Sequence, residues 1–182
     1  MSKFITITAG HSSTDPGAVN GQWQENHIVT DLRNMISLYL DRAAIPHLED
    51  AAGTNTNLPL VDAIKLAKGA LVAIDIHCNA GPSTARGVEA LSKPNMKAYA
   101  QRICKAIASV MGSPLRGDQG WKPEGSGQHS RLGYVSSGGG IVLEVFFISN
   151  NAELAKWQEV KWLVAKAIAN ELIAIYKEAS NG

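Results

Sequence analysis

Hydrophobic and polar positions along the chain follow two different periods, which predict strands and helices in alternation. Residues 4–8 alternate with period two and predict a first strand, whereas 70–76 and 141–148 are almost continuously apolar and predict buried strands. Apolar residues at helical spacing predict helices over 24–42, from Pro59 to just before Gly69, over 96–111, and from Asn150 or Asn151 to about Ala179, with a break near 157–159. Weaker patterns predict further strands at 45–48, 86–91 and 132–135.

This alternation of strands and helices predicts an α/β fold. We expect a single domain over residues 1–182, built on a mostly parallel, twisted central sheet flanked by helices. The pattern shows no internal repeat and no second domain.

Composition narrows the function classes. With 182 residues, 45% of them apolar, the chain predicts a folded domain with a sizeable core. The net charge of +1 does not indicate binding to nucleic acid, and no apolar run reaches the length of a membrane span. The start Met1-Ser2-Lys3-Phe4 shows no secretory pattern, so we expect a protein made in the cytoplasm, with Cys78 and Cys104 unpaired. We also expect a monomer.

Four chemically active side chains occur where such a sheet gathers its ligands. His11 and His77 follow the ends of predicted strands, Glu25 opens the first helix on its apolar stripe, and Glu144 is the lone carboxylate of the strand 141–148. Ligand sites in parallel sheets gather at the carboxyl ends of the strands, so these side chains are expected to converge. Taken singly, Glu25 could be an ordinary first-turn acid, and Glu144 could pair with a basic side chain.

Together the four residues fit hydrolytic zinc chemistry. Two histidines and a glutamate with an open fourth position are a ligand set of catalytic zinc, here His11, Glu25 and His77, with one ion per chain. A further carboxylate, Glu144, can move protons between water and the leaving group. The short zinc signature HExxH is absent.

Neighbouring residues supply candidate contacts. Strand periodicity puts Asp75, His77 and Asn79 on one face and Cys78 on the other. Asp75 is therefore either a partner that orients His77 or a buried charge paired elsewhere. The irregular stretch 112–140 is expected to border the site, with His129 and Arg131 lining it; His27 and His47 are expected at the surface. The apolar face of the C-terminal helix is interpreted as core packing rather than membrane binding.

Three segments resemble a known family. Ala9-Gly10-His11 with Asp15-Pro16-Gly17-Ala18 and Glu25, then Ile76 to Ala80 with Gly87-Val88-Glu89, and then Leu143 to Asn150 are similar, in order and spacing, to the zinc-dependent N-acetylmuramoyl-L-alanine amidases of amidase type 3. The chain departs from the family's usual residues at Ser12 and Asp75, where glycine and serine are common, and neither change removes a ligand.

The resemblance implies a peptidoglycan hydrolase that cuts between N-acetylmuramic acid and L-alanine of the stem peptide. It implies zinc on His11, Glu25 and His77 and Glu144 as acid/base. Apart from the resemblance, the strand face of His77 and the polar loop make Asn79, His129 and Arg131 the expected substrate contacts. We expect a phage or prophage endolysin that acts on the wall after release. Three alternatives stay open: a zinc peptidase acting within the stem peptide, a muramidase using Glu25 and Glu144, and a non-catalytic wall-binding module.

Overall fold

A central six-stranded sheet organises the molecule. The structure is a computed structural model, and it describes residues 3–12, 14–50, 57–126 and 131–181. Its strands lie in the order β4-β1-β5-β8-β6-β7, and every neighbouring pair is parallel except β6 and β8. The expected mostly parallel α/β sheet flanked by helices is therefore confirmed. The elements are β1 (Ile5–Ala9), β2 (Val19–Asn20), β3 (Trp23–Gln24), α1 (Glu25–Arg42), β4 (His47–Glu49), α2 (Leu60–Ala67), β5 (Val72–Asn79), β6 (Glu89–Ser92), a 3₁₀ turn (Pro94–Met96), α3 (Lys97–Met111), β7 (Trp121–Pro123), α4 (Gly133–Ser136), β8 (Ile141–Phe147) and α5 (Asn151–Asn181).

The larger core lies on one face of the sheet, under α1, α3 and α5. Alternate β5 residues, from Val72 to Cys78, point into it and meet helix residues such as Ile103 and Ile168, which are fully buried. Phe146 of β8 stacks on Trp157 of α5, with ring centroids 5.2 Å apart. The apolar stripe of α5 is therefore core, as its spacing indicated.

A smaller core covers only part of the opposite face. It joins α2 and α4 to the sheet through a few side chains, among them Ala63, Tyr134, Ala73 and Val142. Beyond Ala73 and Val142, the residues on this face are polar, namely Asp75 and Glu144. The carboxyl-terminal part of this face therefore borders a groove instead of a packed helix.

Several sequence predictions need correction. Residues 132–135 are not an edge strand: Leu132 precedes the short helix α4, which packs Tyr134 and Val135 into the smaller core. Helix α5 runs without the expected break, and Asn150 caps it by accepting hydrogen bonds from the backbone N–H groups of Ala152 and Glu153.

His47 also differs from its prediction as a surface residue. Its ring is largely buried, with Nε2 2.8 Å from the Ser37 hydroxyl and the Nδ1–H donating to Ile45 O. His27 is exposed as expected, and Cys78 and Cys104 are buried free thiols. Among the described residues, no helix combines the length and the apolar character needed to cross a membrane.

Candidate metal centre

His11 is held at the carboxyl end of β1 by an unusual backbone conformation. Its φ is +65°, in the left-handed region that residues with a Cβ seldom adopt and that recurs at functional sites. The Nδ1–H of its ring donates to Asp15 Oδ2 over 3.0 Å, which turns Nε2 toward the interior. The preceding Gly10 lies so close to the second histidine that an added Cβ would be 2.2 Å from His77 Cε1.

Glu25, the first residue of α1, lies between the two histidines. Its Oε2 is 3.2 Å from His11 Nε2, and its Oε1 is 3.1 Å from His77 Nδ1. The backbone N–H groups of Ala18 and Cys78 also donate to this carboxylate. Burial alone would raise the pKa of Glu25, but the hydrogen bonds from His11 and His77 outweigh it and hold that pKa far below the usual range.

Asp75 is the partner of His77 on the other side of the ring. Its Oδ2 accepts a hydrogen bond from His77 Nε2 over 3.2 Å, and its Oδ1 accepts one from Thr8 Oγ1 over 2.7 Å. Burial alone would lower the pKa of His77, but the charge and hydrogen bond of Asp75, with the hydrogen bond of Glu25, raise it well above the usual value. Of the two interpretations of Asp75, the structure therefore shows the orienting partner.

The residues present fit a metal ion. Ligand atoms of His11, Glu25 and His77 all lie within 4.8 Å of one another, and no other such group of three occurs in the described part of the chain. In each histidine, one ring nitrogen is hydrogen-bonded to an outer carboxylate, Asp15 for His11 and Asp75 for His77. The other ring nitrogen faces Glu25. This carboxylate–histidine arrangement is typical of metal sites, where the outer partner fixes the tautomer of the ligand. Two imidazoles and one carboxylate with room for water suit catalytic zinc.

Glu144 lies beside this group on the neighbouring strand. It is paired in register with His77 across β5 and β8. Its Oε2 is buried and has no hydrogen-bond partner among the described residues. Burial raises the pKa of Glu144 to about 7, although the nearby His77 opposes the shift. A carboxyl group with this pKa can both take and give a proton near neutrality.

A groove of about 630 Å³ connects the four residues with a cluster that the sequence did not indicate. In this cluster Glu89 Oε1 accepts a hydrogen bond from Asn79 Nδ2 over 3.0 Å, and Glu89 Oε2 is paired with Arg116 and with Lys122 Nζ, the latter at 2.8 Å. The resemblance had named Glu89 without a role, and Arg116 and Lys122 lie in a stretch that has no periodicity. Asn79 lines the groove as expected.

Of the other two candidate contacts, only Arg131 is described, and it does not line the groove. Arg131 directs its guanidinium to the hydroxyls of Ser136, at 3.0 Å, and Ser137, and it is not among the residues that line the groove. His129 lies outside the described residues. Substrate contacts from these two residues stay predictions.

Comparisons with known proteins agree with this geometry. The family model for N-acetylmuramoyl-L-alanine amidase, type 3, matches residues 5–174. A candidate N-acetylmuramoyl-L-alanine amidase from Neisseria meningitidis is 47% identical; the match covers 94% of each chain, with a TM-score of 0.87. No curated protein matches in sequence.

Two further solved structures show the same fold at lower identity. The catalytic domain of CwlV, an N-acetylmuramoyl-L-alanine amidase from Bacillus (Paenibacillus) polymyxa var. colistinus, is 24% identical with a TM-score of 0.78, over 94% of this chain and 96% of that one. The catalytic domain of the CD27L endolysin, which targets Clostridia difficile, is 22% identical with a TM-score of 0.75, over 95% and 98%.

Proposed function

The chain belongs to the N-acetylmuramoyl-L-alanine amidase family of type 3, and from that membership we propose that it hydrolyses peptidoglycan at the amide between the lactyl group of N-acetylmuramic acid and L-alanine. One observation carries the proposal: Glu25 is clamped between two histidines while the neighbouring Glu144 has a buried oxygen without a partner. The first group is suited to hold a cation and the second to move a proton.

His11, Glu25 and His77 would hold one zinc ion per chain. When bound, zinc polarises the substrate carbonyl and lowers the pKa of a coordinated water. Asp15 and Asp75 would keep the far ring nitrogens protonated, so that His11 Nε2 and His77 Nδ1 could give up their hydrogen bonds to Glu25 and act as ligands through their lone pairs.

Glu144 would carry the proton in this reaction. Its Oε2 takes one proton from the attacking water, and the carboxyl group then gives it to the nitrogen of L-alanine as the carbon–nitrogen bond breaks. The products are a muramoyl lactyl carboxylate and a stem peptide with a free amino terminus. Burial raises the pKa of Glu144 in the metal-free protein, and this shift opposes the lowering that a nearby cation would cause, so the carboxylate stays basic enough to accept the proton.

The competing functions have less support in the geometry. A muramidase would need Glu25 as an acid or nucleophile, but both oxygens of Glu25 are already engaged by histidines and backbone N–H groups. A wall-binding module would have no use for the unpartnered carboxylate of Glu144. A zinc peptidase would use the same centre, so it differs from the amidase in the bond that is cut.

Product analysis is the experiment that tests the proposal. Purified protein, with zinc restored after treatment with a chelator, is incubated with peptidoglycan, and the products are identified by mass spectrometry. We expect glycan strands with free lactyl carboxylates and intact stem peptides beginning at L-alanine, and no release by the chelated protein. New ends within the stem peptide would identify a peptidase instead, and reducing sugar ends a muramidase.

We also propose a lytic role of the phage or prophage endolysin type, with the protein made in the host cytoplasm and acting on the wall after release. The endolysin catalytic domain described above shares this fold, which makes such a role reasonable. The groove is formed within one chain, so we expect an active monomer, to be checked by light scattering. Expression in a bacterial host should leave cells intact until the inner membrane is permeabilised and should then lyse them; cells that stay intact would contradict the lytic role.

A further inference from the structure

We propose that Arg116 and Lys122, held by Glu89, form a carboxylate-binding site in the groove, which takes an acidic group of the stem peptide on the amine side of the cleaved bond. This inference rests on the proposed amidase function and adds to it a determinant of substrate choice.

The position of the site follows from the register of three strands. His77 of β5 pairs with Glu144 of β8, and Glu144 pairs in turn with Glu89 of β6. The three side chains therefore form a row on one face of the sheet. Neighbouring strands lie about 4.8 Å apart, which puts the backbone of Glu89 roughly 10 Å from that of His77. An extended peptide covers this distance in roughly two to three residues.

The charges of the cluster do not balance. Glu89 contributes one negative charge, whereas Arg116 and Lys122 contribute two positive charges. Asn79 occupies Oε1 of Glu89, and both cations share Oε2. The cluster is therefore short of one negative charge, which an anionic ligand can supply.

Both cations are held in place yet remain accessible. The guanidinium of Arg116 lies over the ring of Phe147, 4.8 Å from its centroid, and its side chain is 37% exposed. Lys122 comes from the edge strand β7, opposite Leu91, and its side chain is 22% exposed. Arg116 Nη2 makes no hydrogen bond to any described residue, and Lys122 Nζ has one acceptor for its three protons. These N–H groups are available to a ligand in the groove.

The chemistry of the substrate decides which part of it reaches this site. The lactyl carboxyl of N-acetylmuramic acid is consumed in the amide, and its N-acetyl group is neutral, so the free carboxylates nearby belong to the stem peptide. At the other end of the site, the groove wall formed by Ser12, Leu58 and Pro59 has no lysine or arginine among its described lining residues. We therefore place the peptide toward Arg116 and Lys122 and the glycan toward Pro59.

Three matched substrates test the inference. They are muramoyl tripeptides with free carboxylates, with the second residue amidated, and with the third residue amidated. The parent is compared with Arg116→Met/Lys122→Met. The control is Arg102→Met, which removes a cation of α3 that is paired with Glu171 and Glu178 of α5 and does not line the groove. A triple variant that adds Glu89→Gln keeps the comparison valid if the double variant folds poorly, because no buried carboxylate is then left unpaired.

For the parent, amidation at one of the two positions should lower kcat/KM by about 10- to 100-fold, the scale of a charge-assisted hydrogen bond. The double or triple variant should show that loss on the fully acidic substrate and no further loss on amidation, while Arg102→Met behaves as the parent. The position that responds identifies which carboxylate is bound. Indifference of the parent to both amidations, or a variant that keeps the preference, would overturn the inference.

A binding measurement separates this inference from the amidase proposal. The free acidic tripeptide is titrated calorimetrically into each protein, with zinc present. If the parent cleaves none of the substrates, the amidase proposal fails, but weaker tripeptide binding by the double or triple variant still supports the cationic site. Equal binding by the parent and these variants rejects the site, whatever the cleavage results.

Discussion

Replacing Glu144 by glutamine should separate proton transfer from metal binding. The substitution keeps the shape of the side chain and removes its charge and its ability to carry a proton. In the metal-free protein, burial raises the pKa of Glu144 from 4.5 to about 7. The folded state therefore holds a proton that the unfolded state releases between these two pH values, so the free energy of unfolding falls as the pH rises from 4.5 to 7.

The size of this effect follows from the shift. A difference of 2.5 pKa units, at about 1.36 kcal/mol per unit, gives an upper value of about 3 kcal/mol at pH 8. At pH 5 the same linkage gives less than about 1 kcal/mol. Metal-free Glu144→Gln should therefore be more stable than the metal-free parent at pH 8, with most of the gain lost at pH 5.

Chemical denaturation of the metal-free proteins at both pH values measures the stability. Zinc content and turnover are then measured after zinc has been restored to samples of the same proteins. We expect zinc near the parent level and turnover lower by about 10²-fold or more, the scale of a positioned acid/base. A gain in stability that is the same at pH 5 and pH 8 would refute the burial argument. Loss of zinc from Glu144→Gln would mean that Glu144 is a ligand.

Other substitutions test the metal centre and the core. His77→Ala and Glu25→Gln should both lose zinc together with activity; full zinc occupancy in either variant would make that residue structural. Asp75→Asn should weaken zinc binding by about 10- to 100-fold, since the acceptor of the His77 hydrogen bond loses its negative charge, and competition with a chelator measures this. Truncation before Trp162 removes most of the buried residues of α5, among them Val164, Ile168 and Leu172, and should abolish cooperative unfolding in circular dichroism; a folded, active truncated protein would instead support a membrane role for this helix.

Much of the centre could be predicted because it depends on local rules. Strand alternation predicts Asp75, His77 and Asn79 on one face of the sheet. In the structure they lie on that face, and Cys78 is buried in the core on the opposite face. The carboxyl ends of parallel strands lie at one edge of the sheet. Residues that follow two such strands can therefore be predicted to lie close together, although no sequence pattern marks the contact between them. The lone charge of Glu144 in an apolar strand marked it as a residue that needed an explanation.

The remaining features depend on contacts between distant segments. Residues 132–135 are too few for their periodicity to distinguish a strand from a helix. The segment forms the helix α4, in which Tyr134 packs against the sheet. Arg116 and Lys122 meet Glu89 only because the short strand β7 pairs with β6 at the edge of the sheet. A three-residue strand in a glycine-rich stretch gives no pattern from which that pairing could be read.

Replacing the two glutamates in the row of His77, Glu144 and Glu89 should change the free energy of unfolding in opposite directions. Both lie on the same face of central strands, but Glu89 has Asn79 and two cations as partners, whereas Glu144 Oε2 has no partner among the described residues. Removing a paired charge loses its hydrogen bonds, while removing an unpaired one relieves a desolvation cost. Glu89→Gln should therefore lower the free energy of unfolding by about 1–3 kcal/mol at pH 8, the range for hydrogen bonds to charged groups, under conditions where metal-free Glu144→Gln raises it. Denaturation of both variants in one buffer tests the contrast, and stability changes of the same sign would show that the surroundings of the two carboxylates do not differ as their contacts indicate.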